Sequence, residues 1–534
     1  MHEILLLCLG LVLSVCLLVL LAQKLKIAYP IFLVAAGLLI GFIPGIPNTH
    51  IEPDIVFLII LPPILYDAAQ NTSWKALWRW RRIISVMALG FVLLTATSVA
   101  LVSYYLIPGF TLAQGFLLGA IVSPPDAAAA TAILRFIKLP KGVVAILEGE
   151  SLLNDATSLT IFRFALLAII SNSFALGHAA ANFGLVTISG IAIGLFIGFV
   201  FYSIFRWLPT TANLNIILSI VLPYLIYLTA EALHSSGVLA VVSGGLFVSY
   251  QNHFILSHSS RLKSKAVWSS LVFILNAVVF FLIGLQLPGI LHSVKDGALT
   301  ASIMAALIIS LAVILVRLFS VLFSSVFTTF IGRFITVAQR RPGWRNPVIV
   351  SFMGMRGVVS LASALSIPLL LPGGQAFPNR DIILFITFMV IIITLVGQGL
   401  ALPWLIRLIK PEFISTEKPD DQQIMEIELQ LYNSALKKLR AQYSADIIDN
   451  GLLKNKHELY DFKVKLLGKN KSTIPGDMPN DLIGRFKLVM MEVIEHERRE
   501  LHSFRRMDGY DDDVIRVIEN RLDLEEERLE EESE

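Results

Sequence analysis

Residues 143–171 read VVAILEGESLLNDATSLTIFRFALLAIIS, an apolar run with a polar cluster in its middle. A helix of about 20 residues crosses the roughly 30 Å of hydrocarbon in a bilayer. Ionisable side chains at that depth are costly unless they are paired or line a wet cavity, so they mark a functional site. This stretch therefore predicts a membrane-spanning helix that carries such a site.

The rest of the chain has the composition of a multi-span membrane protein. Of its 534 residues, 55% are hydrophobic and 16% are charged, whereas soluble domains contain about 25% charged residues. We predict an all-α polytopic membrane protein with about thirteen transmembrane helices. The apolar segments centre on residues 3–23, 28–43, 52–70, 84–107, 111–137, 143–171, 182–205, 213–233, 237–254, 266–288, 298–330, 346–369 and 381–408.

The charges of the predicted loops fix an orientation. Seventeen Lys and Arg residues lie in the odd-numbered loops, and only Lys295 and Arg380 lie in the even-numbered ones. Positively charged loops stay in the cytoplasm, so we expect a cell-membrane protein with its N-terminus outside and its C-terminus cytoplasmic. Beyond residue 410 the sequence becomes polar. We therefore predict a transmembrane domain over 1–410 and a cytoplasmic helical domain over 411–534.

Three polar side chains of span six share one helical face. Residues three and four apart lie together on a helix, so Ser151, Asn154 and Asp155 offer a hydroxyl, an amide oxygen and a carboxylate to one point. Oxygen ligands suit small hard cations, and a carboxylate can hold a proton instead. Carboxylates also outnumber bases among the ionisable residues deep in the spans. These observations favour a path for cations over one for anions.

Two other spans are interrupted. Span five contains Ser123-Pro124-Pro125-Asp126, and consecutive prolines remove backbone donors from a helix and free carbonyl oxygens beside Asp126. Span twelve contains Gly354-Met355-Arg356-Gly357. Because these spans are seven apart, they occupy corresponding positions in two inverted halves, spans 1–6 and spans 8–13. Interrupted helices at such positions indicate a transport site near the membrane midplane.

The remaining buried cations need partners. We predict that Arg356 forms a structural ion pair with Glu150, the carboxylate that points about 100° away from the face of Ser151, because an unpaired buried charge is strongly destabilising. Arg317 stands alone in span eleven, so we expect it to snorkel or to pair locally.

Two further polar groups lie toward the predicted outer end. Arg163, two helical turns beyond Asp155, is a candidate partner of Glu231 in span eight. We interpret His234, one turn after Glu231, as a hydrogen-bonded packing residue.

Residues 1 to about 410 resemble the sodium/proton antiporters of the NhaP and NHE type, the electroneutral branch of the monovalent cation:proton antiporters. The resemblance rests on Leu61–Asp67, Ser123–Asp126, Glu148–Asp155, Ser236–Ala240, Leu275–Ala277, Gly284–Gln286 and Gly354–Gly357. The string Gly149–Asp155 is highly specific, and the spacing of 29 residues from Asp126 to Asp155 matches the family. The combination looks most like the bacterial subgroup with Ser-Pro-x-Asp in span five.

The resemblance implies a role for each site residue. It makes Asp155 the essential carboxylate that binds either the cation or a proton, with Asp126 and Ser151 completing the site. Asn154 stands where electrogenic relatives have a second aspartate, and this implies one-for-one exchange. Pro125 replaces a threonine of the family and retains only its backbone carbonyl as a ligand.

Three other features follow from the resemblance. Asp67 stands where many members have a glutamate near the site. Glu150 and Arg356 match the structural ion pair of the family. The family typically forms homodimers and moves a core domain against a dimerisation domain.

The expected function is exchange of Na⁺ or Li⁺ for H⁺ across the bilayer, with the transported ions in place of any cofactor. A K⁺/H⁺ or broad-selectivity antiporter, a cation channel and a membrane sensor that signals through the tail are the alternatives. The tail is a candidate to bind a regulator or the membrane domain. The sequence contains no metal triad, no nucleophile with its base and no phosphate-binding loop, so we expect neither an enzyme nor a nucleic-acid-binding protein.

Overall fold

A computed structural model describes residues 2–43, 55–134, 139–171, 176–209, 211–255, 258–293, 299–331, 343–371, 374–412, 420–469, 489–499, 501, 518, 522 and 524–526. The chain divides into two compact units, Met1–Ile414 and Ser415–Glu534, which are described separately.

The first unit is built from helices, as the sequence predicted. They are α1 (His2–Lys24), α2 (Tyr29–Gly41), α3 (Leu61–Asn71, preceded by a π-helical stretch, Ile55–Ile60), α4 (Trp74–Leu106), α5 (Leu112–Val122), α6 (Ala127–Leu134), α7 (Lys141–Ser171), α8 (Leu176–Trp207), α9 (Ala212–Ala232), α10 (Gly237–Ile255), α11 (His258–Ser293), α12 (Leu299–Ile331), α13 (Arg345–Phe352), α14 (Val358–Leu365) and α15 (Arg380–Ile409).

Seven of these helices are long and apolar enough, in whole or in large part, to cross a membrane. They are α4, α7, α8, α9, α11, α12 and α15. Large apolar side chains cover the outer surfaces of these helices, for example Leu311 and Phe319 of α12, which are 56% and 67% exposed. Such surfaces suit lipid. The count of thirteen spans and the inverted repeat remain predictions.

Local sequence explains where several helices begin. Thr111 and Gln114 form a capping box at α5: the Gln114 N–H donates to Thr111 Oγ1 at 3.2 Å, and the Thr111 N–H donates to Gln114 Oε1 at 2.9 Å. The side chains of Ser73 at α4 and Thr211 at α9 each accept one backbone N–H from the first turn of the helix. These caps satisfy the backbone donors that a helix leaves unpaired at its start.

The two predicted interruptions are present and contact each other. The chain is not helical between Val122 and Ala127 or between Phe352 and Val358. The Asp126 N–H donates to the Met355 carbonyl at 2.7 Å. Non-helical backbone inside a membrane is tolerated only where its polar groups find partners or line a cavity. Each interruption therefore supplies partners to the other.

Gly357 makes this close approach possible. A Cβ atom at Gly357 would overlap the carboxylate of Asp126. The Val358 N–H, one residue later, donates to Asp126 Oδ2 at 3.3 Å. A side chain at position 357 would thus push Asp126 away from the start of α14.

The contact between the two interrupted segments is called the crossing below. Arg356 stabilises it by donating hydrogen bonds to backbone carbonyls. Its Nε donates to the Val122 carbonyl at 2.8 Å, and its Nη2 donates to the Ser123 carbonyl at 3.3 Å. Its Nη1 donates to the Gly354 carbonyl. A cation at the end of α5 compensates both the carbonyls left unpaired there and the negative end of the helix dipole.

The predicted Glu150–Arg356 ion pair is wrong, because Glu150 pairs with Arg317. Arg317 Nη1 lies 2.7 Å from Glu150 Oε1, and Arg317 Nη2 lies 3.0 Å from Oε2. Glu150, Arg317 and Arg356 are each at most 4% exposed. A planar guanidinium matches a carboxylate in this two-bond arrangement. Gly354 leaves room for it, since a Cβ there would overlap the Arg317 side chain. The expectation that Arg317 snorkels or pairs locally is therefore also wrong.

The helix of Asp155 and the helix of Glu231 pack mainly against different neighbours. The helix α7 packs mainly against α4 and α5, and α12 packs against α4, α13 and α15. The helix α9 instead packs against α8, α10 and α11, and α10 packs against α3. The main neighbours of the helix that carries Asp155 are therefore not those of the helix that carries Glu231.

The second unit contains a helical pair. Its helices include α16 (Asp420–Gln442), α17 (Ser444–Asp449) and α18 (Gly451–Lys469). The rings of Tyr432 and Tyr460 lie 5.4 Å apart, and Arg440 Nη2 lies 3.1 Å from Asp461 Oδ1. A hydrogen bond from Lys465 and the charges of Lys465 and Arg440 lower the pKa of Asp461 below its usual value. These contacts join α16 to α18.

The buried pair makes a prediction about stability. Replacing Glu150 with Gln leaves the Arg317 guanidinium without its counter-charge, and breaking a buried pair costs about 3–5 kcal/mol. We expect E150Q to lower the thermal unfolding midpoint of the purified protein clearly. Glu148→Gln, a half-buried carboxylate on the same helix, is the matched control and should have a much smaller effect.

A double variant separates charge from packing. E150L/R317M removes both charges, and apolar replacement of a buried pair is often neutral, so it should recover most of the loss. An E150Q protein as stable as the unmodified chain would contradict this role of the pair.

Candidate functional site

The site lies where α7 faces the interruption between α5 and α6. Asp155 is 7% exposed, and Asn154 is completely buried. Both lie in the middle of α7, as the sequence predicted. Asp155 and Ser151 line a cavity of about 780 Å³, together with Pro125 and Asp126 of the interrupted segment. The structure thus brings together residues of the two polar motifs that the sequence assigned to the site.

Asn154 binds the interrupted segment. Its Nδ2 donates to the Pro125 carbonyl at 3.0 Å. Its Oδ1 is buried and has no hydrogen-bond partner among the described residues. Asn154 lies behind the cavity wall, whereas the sequence interpretation placed it on one patch with Ser151 and Asp155. Because the carbonyl accepts its bond from an amide N–H, a carboxylate at this position would repel it.

Asp126 is held by the first turns of two helices. Its Oδ1 accepts the Ala129 N–H of α6 at 3.4 Å, and its Oδ2 accepts the Val358 N–H of α14 at 3.3 Å. The Ala127 N–H donates to Ser151 Oγ at 3.4 Å. Helix N-termini favour negative charge through their unpaired donors and their dipoles. Asp126 is therefore stabilised as an anion by the backbone around it.

Asp155 differs from Asp126 in its surroundings. Within the part of the chain that the structure describes, its carboxylate receives no hydrogen bond and forms no ion pair. It opens instead on the cavity. A buried carboxylate without partners is costly, so a proton or a cation from the cavity would stabilise Asp155.

The cavity opens toward one end of the first unit. Its wall includes Asn71 at the end of α3, Phe205 near the end of α8, and Asn215, Arg261 and Lys265 near the starts of α9 and α11. All of these lie at the end of their helix that the loop charges assign to the cytoplasm.

The cavity wall contains further polar residues, and the sequence assigned only one of them, Asp67, to the site. Asp67 and Glu148 are half-buried residues of this wall. Asn276 and Ser360 line it too, and each has a buried side-chain oxygen without a partner among the described residues. Asn276 is a polar residue in an otherwise apolar segment of α11, and that signal could have identified it.

The opposite end of the unit carries a second ion pair. Arg163 Nη2 lies 2.6 Å from Glu231 Oε1 and 2.7 Å from Oε2, so the predicted pairing is confirmed. Glu231 Oε1 also accepts the Gly237 N–H at 3.3 Å. This pair joins α7 to the junction of α9 and α10.

His234 does not pack as interpreted. It is exposed, and its φ of 54° places it in the left-handed region. The interpretation of His234 as a packing residue is wrong because the turn that ends α9 directs the residue outward. Among the residues that the structure describes, no group of three or more His, Cys, Asp or Glu side chains could hold a metal ion.

Comparisons with known proteins agree with this architecture. The family model described as "Sodium/hydrogen exchanger, transmembrane" matches residues 10–408. An uncharacterised Na⁺/H⁺ exchanger of Mycobacterium tuberculosis is 30% identical over 521 residues, 95% of this chain and 93% of its own length.

Two further proteins extend the comparison. The sodium, potassium, lithium and rubidium/H⁺ antiporter of Bacillus pumilus is 30% identical over 78% of this chain and 61% of its own length. The solved structure of the sodium proton antiporter MjNhaP1 from Methanocaldococcus jannaschii has a TM-score of 0.60 at 20% identity, and covers 75% of this chain and 97% of its own. That likeness shows a shared fold.

The family match extends over most of the first unit and includes every residue of the site described above. The chain belongs to the sodium/hydrogen exchanger family of transmembrane cation/proton antiporters.

Proposed function

We propose that this protein exchanges one Na⁺ or Li⁺ for one H⁺ by alternating access, with Asp155 as the shared site for cation and proton. The observation that carries the proposal is the contrast between two carboxylates of one cavity. Asp126 is bonded to the starts of two helices, whereas Asp155 faces the cavity without a protein partner. Asp155 is thus the carboxylate that depends on a ligand from solution.

Coupling follows from the cost of moving an unneutralised carboxylate. Proton and cation compete for Asp155, and either of them removes its net charge. An empty, charged Asp155 is costly to carry through the low-dielectric part of the membrane. The loaded forms therefore cross, and the empty form does not. Ser151 and the Pro125 carbonyl are candidates to supply further oxygens to the cation.

The proposed stoichiometry depends on Asn154. An amide cannot titrate, so only Asp155 of the adjacent pair gains or loses a proton. Asn154 also supplies the N–H that binds the Pro125 carbonyl. One proton then replaces one monovalent cation, and the exchange moves no net charge.

The alternating movement is supported by the two ends of the first unit. We propose that the cavity faces the cytoplasm, because its wall contains Arg261 and Lys265 at the positively charged end of the helices. At the other end, Arg163 and Glu231 join α7 to α9, whose main packing neighbours differ. We propose that this pair closes the outer path and separates when Asp155 turns outward.

The wider organisation follows the sequence expectations. We propose a cell-membrane protein with its N-terminus outside, a transport domain over 1–410 and a cytoplasmic helical domain over 411–534. We also propose that the membrane domain forms a homodimer, as the family resemblance implies.

A broader cation selectivity is the second candidate. The Bacillus pumilus relative is named as an antiporter of sodium, potassium, lithium and rubidium, although this chain spans only 61% of its length. A cavity of about 780 Å³ with several uncommitted oxygens, among them Asn276 Oδ1, does not impose a tight cage for a small ion. Comparing Na⁺, Li⁺ and K⁺ in one assay distinguishes the two candidates.

Asp155→Asn tests the site directly. The substitution keeps the size of the side chain and removes its proton and its charge. In proteoliposomes with an imposed pH gradient, we expect fluorescence dequenching by Na⁺, Li⁺ and K⁺ to fall at least a hundredfold. Asp381→Asn, an exposed carboxylate at the start of α15, is the control and should exchange normally. Normal exchange by a folded D155N protein would overturn the assignment.

The outer ion pair makes a prediction about conformation. Partly exposed pairs contribute about 0.2–1 kcal/mol, which is a shift of up to about fivefold in a two-state equilibrium. In a chain with Cys8 and Cys16 replaced by Ser, Ser269→Cys reports access to the cavity. We expect Glu231→Gln to reduce the labelling rate of Cys at this position from the cytoplasmic side by about two- to fivefold.

The charge-swapped variant R163E/E231R provides the control for the outer pair. It should restore the labelling rate, because it restores the attraction between the two helices. Equal labelling rates in the E231Q protein and in the protein with an intact Arg163–Glu231 pair would show that the pair does not hold the inward-open arrangement.

A further inference from the structure

The first nine residues of α4, WKALWRWRR (74–82), form a surface that the transport site does not use. They contain four cations and three tryptophans and no carboxylate. We call the exposed part the basic–aromatic surface; its members are Trp74, Lys75, Trp78, Arg79, Arg81 and Arg82. Trp74 is 46% exposed and Trp78 is 58% exposed.

The length of α4 fixes the depth of this surface. The helix has 33 residues, which at about 1.5 Å per residue makes it about 50 Å long. Its part from residue 83 to residue 106 contains no charged residue. Those residues alone cover about 36 Å, more than the roughly 30 Å of hydrocarbon in a bilayer. Residues 74–82 therefore lie at the level of the lipid headgroups.

The side chains of this surface are ordered by each other. The Arg81 guanidinium lies 4.2 Å from the centre of the Trp78 ring, and its Nη1 donates to the Trp78 carbonyl at 2.7 Å. The rings of Trp74 and Tyr250 lie 6.1 Å apart. A guanidinium stacked on an aromatic ring loses little further freedom when it binds an anion, and its planar fork suits phosphate.

The inner side of the same turns is anchored in the protein. Trp80 is only 4% exposed, and it packs so closely against Gly142 of α7 that a Cβ atom there would lie 2.8 Å from its ring. The cations on the outer side are thus carried by a fixed helix that contacts the helix of Asp155.

We propose that the basic–aromatic surface binds the phosphate headgroups of anionic phospholipids in the membrane leaflet that it faces. The four cations attract anionic lipid. Exposed tryptophans are favoured at the boundary between headgroups and hydrocarbon. The depth of residues 74–82 supports a lipid in place of a soluble phosphate, because exposed indole rings are favoured at the headgroup level of a membrane and the neighbouring guanidinium groups suit its phosphates.

The experiment measures lipid binding separately from ion exchange. Purified protein in neutral detergent is mixed with phosphatidylglycerol or with phosphatidylcholine, and its thermal unfolding midpoint is followed. We expect phosphatidylglycerol to raise the midpoint and phosphatidylcholine to leave it nearly unchanged. K75Q/R81Q should need at least fivefold more phosphatidylglycerol for the same rise. K24Q/K26Q is the matched control, because it removes two exposed cations at the end of α1 that the loop charges also assign to the cytoplasm. It should behave as the unmodified chain does.

Three results would overturn the proposal. The first is an equal response to both lipids in the unmodified chain. The second is an equal loss in K24Q/K26Q and K75Q/R81Q. The third is the same stabilisation by inorganic phosphate as by phosphatidylglycerol. If K75Q/R81Q is not recovered folded, Lys75→Gln alone serves the comparison. The D155N protein should keep the full response, so that a failure of the transport proposal and a failure of this one remain distinguishable.

Discussion

The contact between the two interrupted segments is the interaction on which the site depends. The Asp126 N–H binds the Met355 carbonyl, and the Asp126 carboxylate accepts N–H groups from the starts of α6 and α14. Gly357 allows that approach, and Arg356 satisfies the carbonyls at the end of α5. Without these partners the non-helical backbone of the two segments would leave polar groups unpaired at membrane depth. The crossing therefore creates the polar wall that Asp155 faces.

This arrangement divides the buried charges by role. Asp126 and Arg356 hold the crossing, and Glu150 and Arg317 join α7 to α12. Each of these groups has its partners within the protein. Asp155 receives no such partner from the described residues and lines the cavity, which is why we propose it as the transport site. The distinction matters because a transport site must release its ligand, whereas a structural charge must not.

The sequence indicates the helices, the two interrupted segments and the polar cluster of α7, but it does not indicate how the buried arginines pair. Polar residues in apolar runs, such as Asp155, stand out because membrane depth penalises them. Consecutive prolines and paired glycines locate the interruptions by their effect on the backbone. The partner of Glu150, however, depends on which arginine reaches it in space. The family motif suggested Arg356 as the partner of Glu150. Backbone carbonyls accept the hydrogen bonds of Arg356, however, and the missing side chain of Gly354 leaves room for Arg317.

The central claim is that Asp155 alone exchanges one proton for one monovalent cation, with no net charge moved. The most direct measurement is the initial rate of Na⁺ uptake into proteoliposomes at a fixed pH gradient, while a potassium diffusion potential is varied in both directions. We expect the same rate at every imposed voltage. A rate that rises and falls with voltage would contradict it, because charge would then cross the membrane in each cycle.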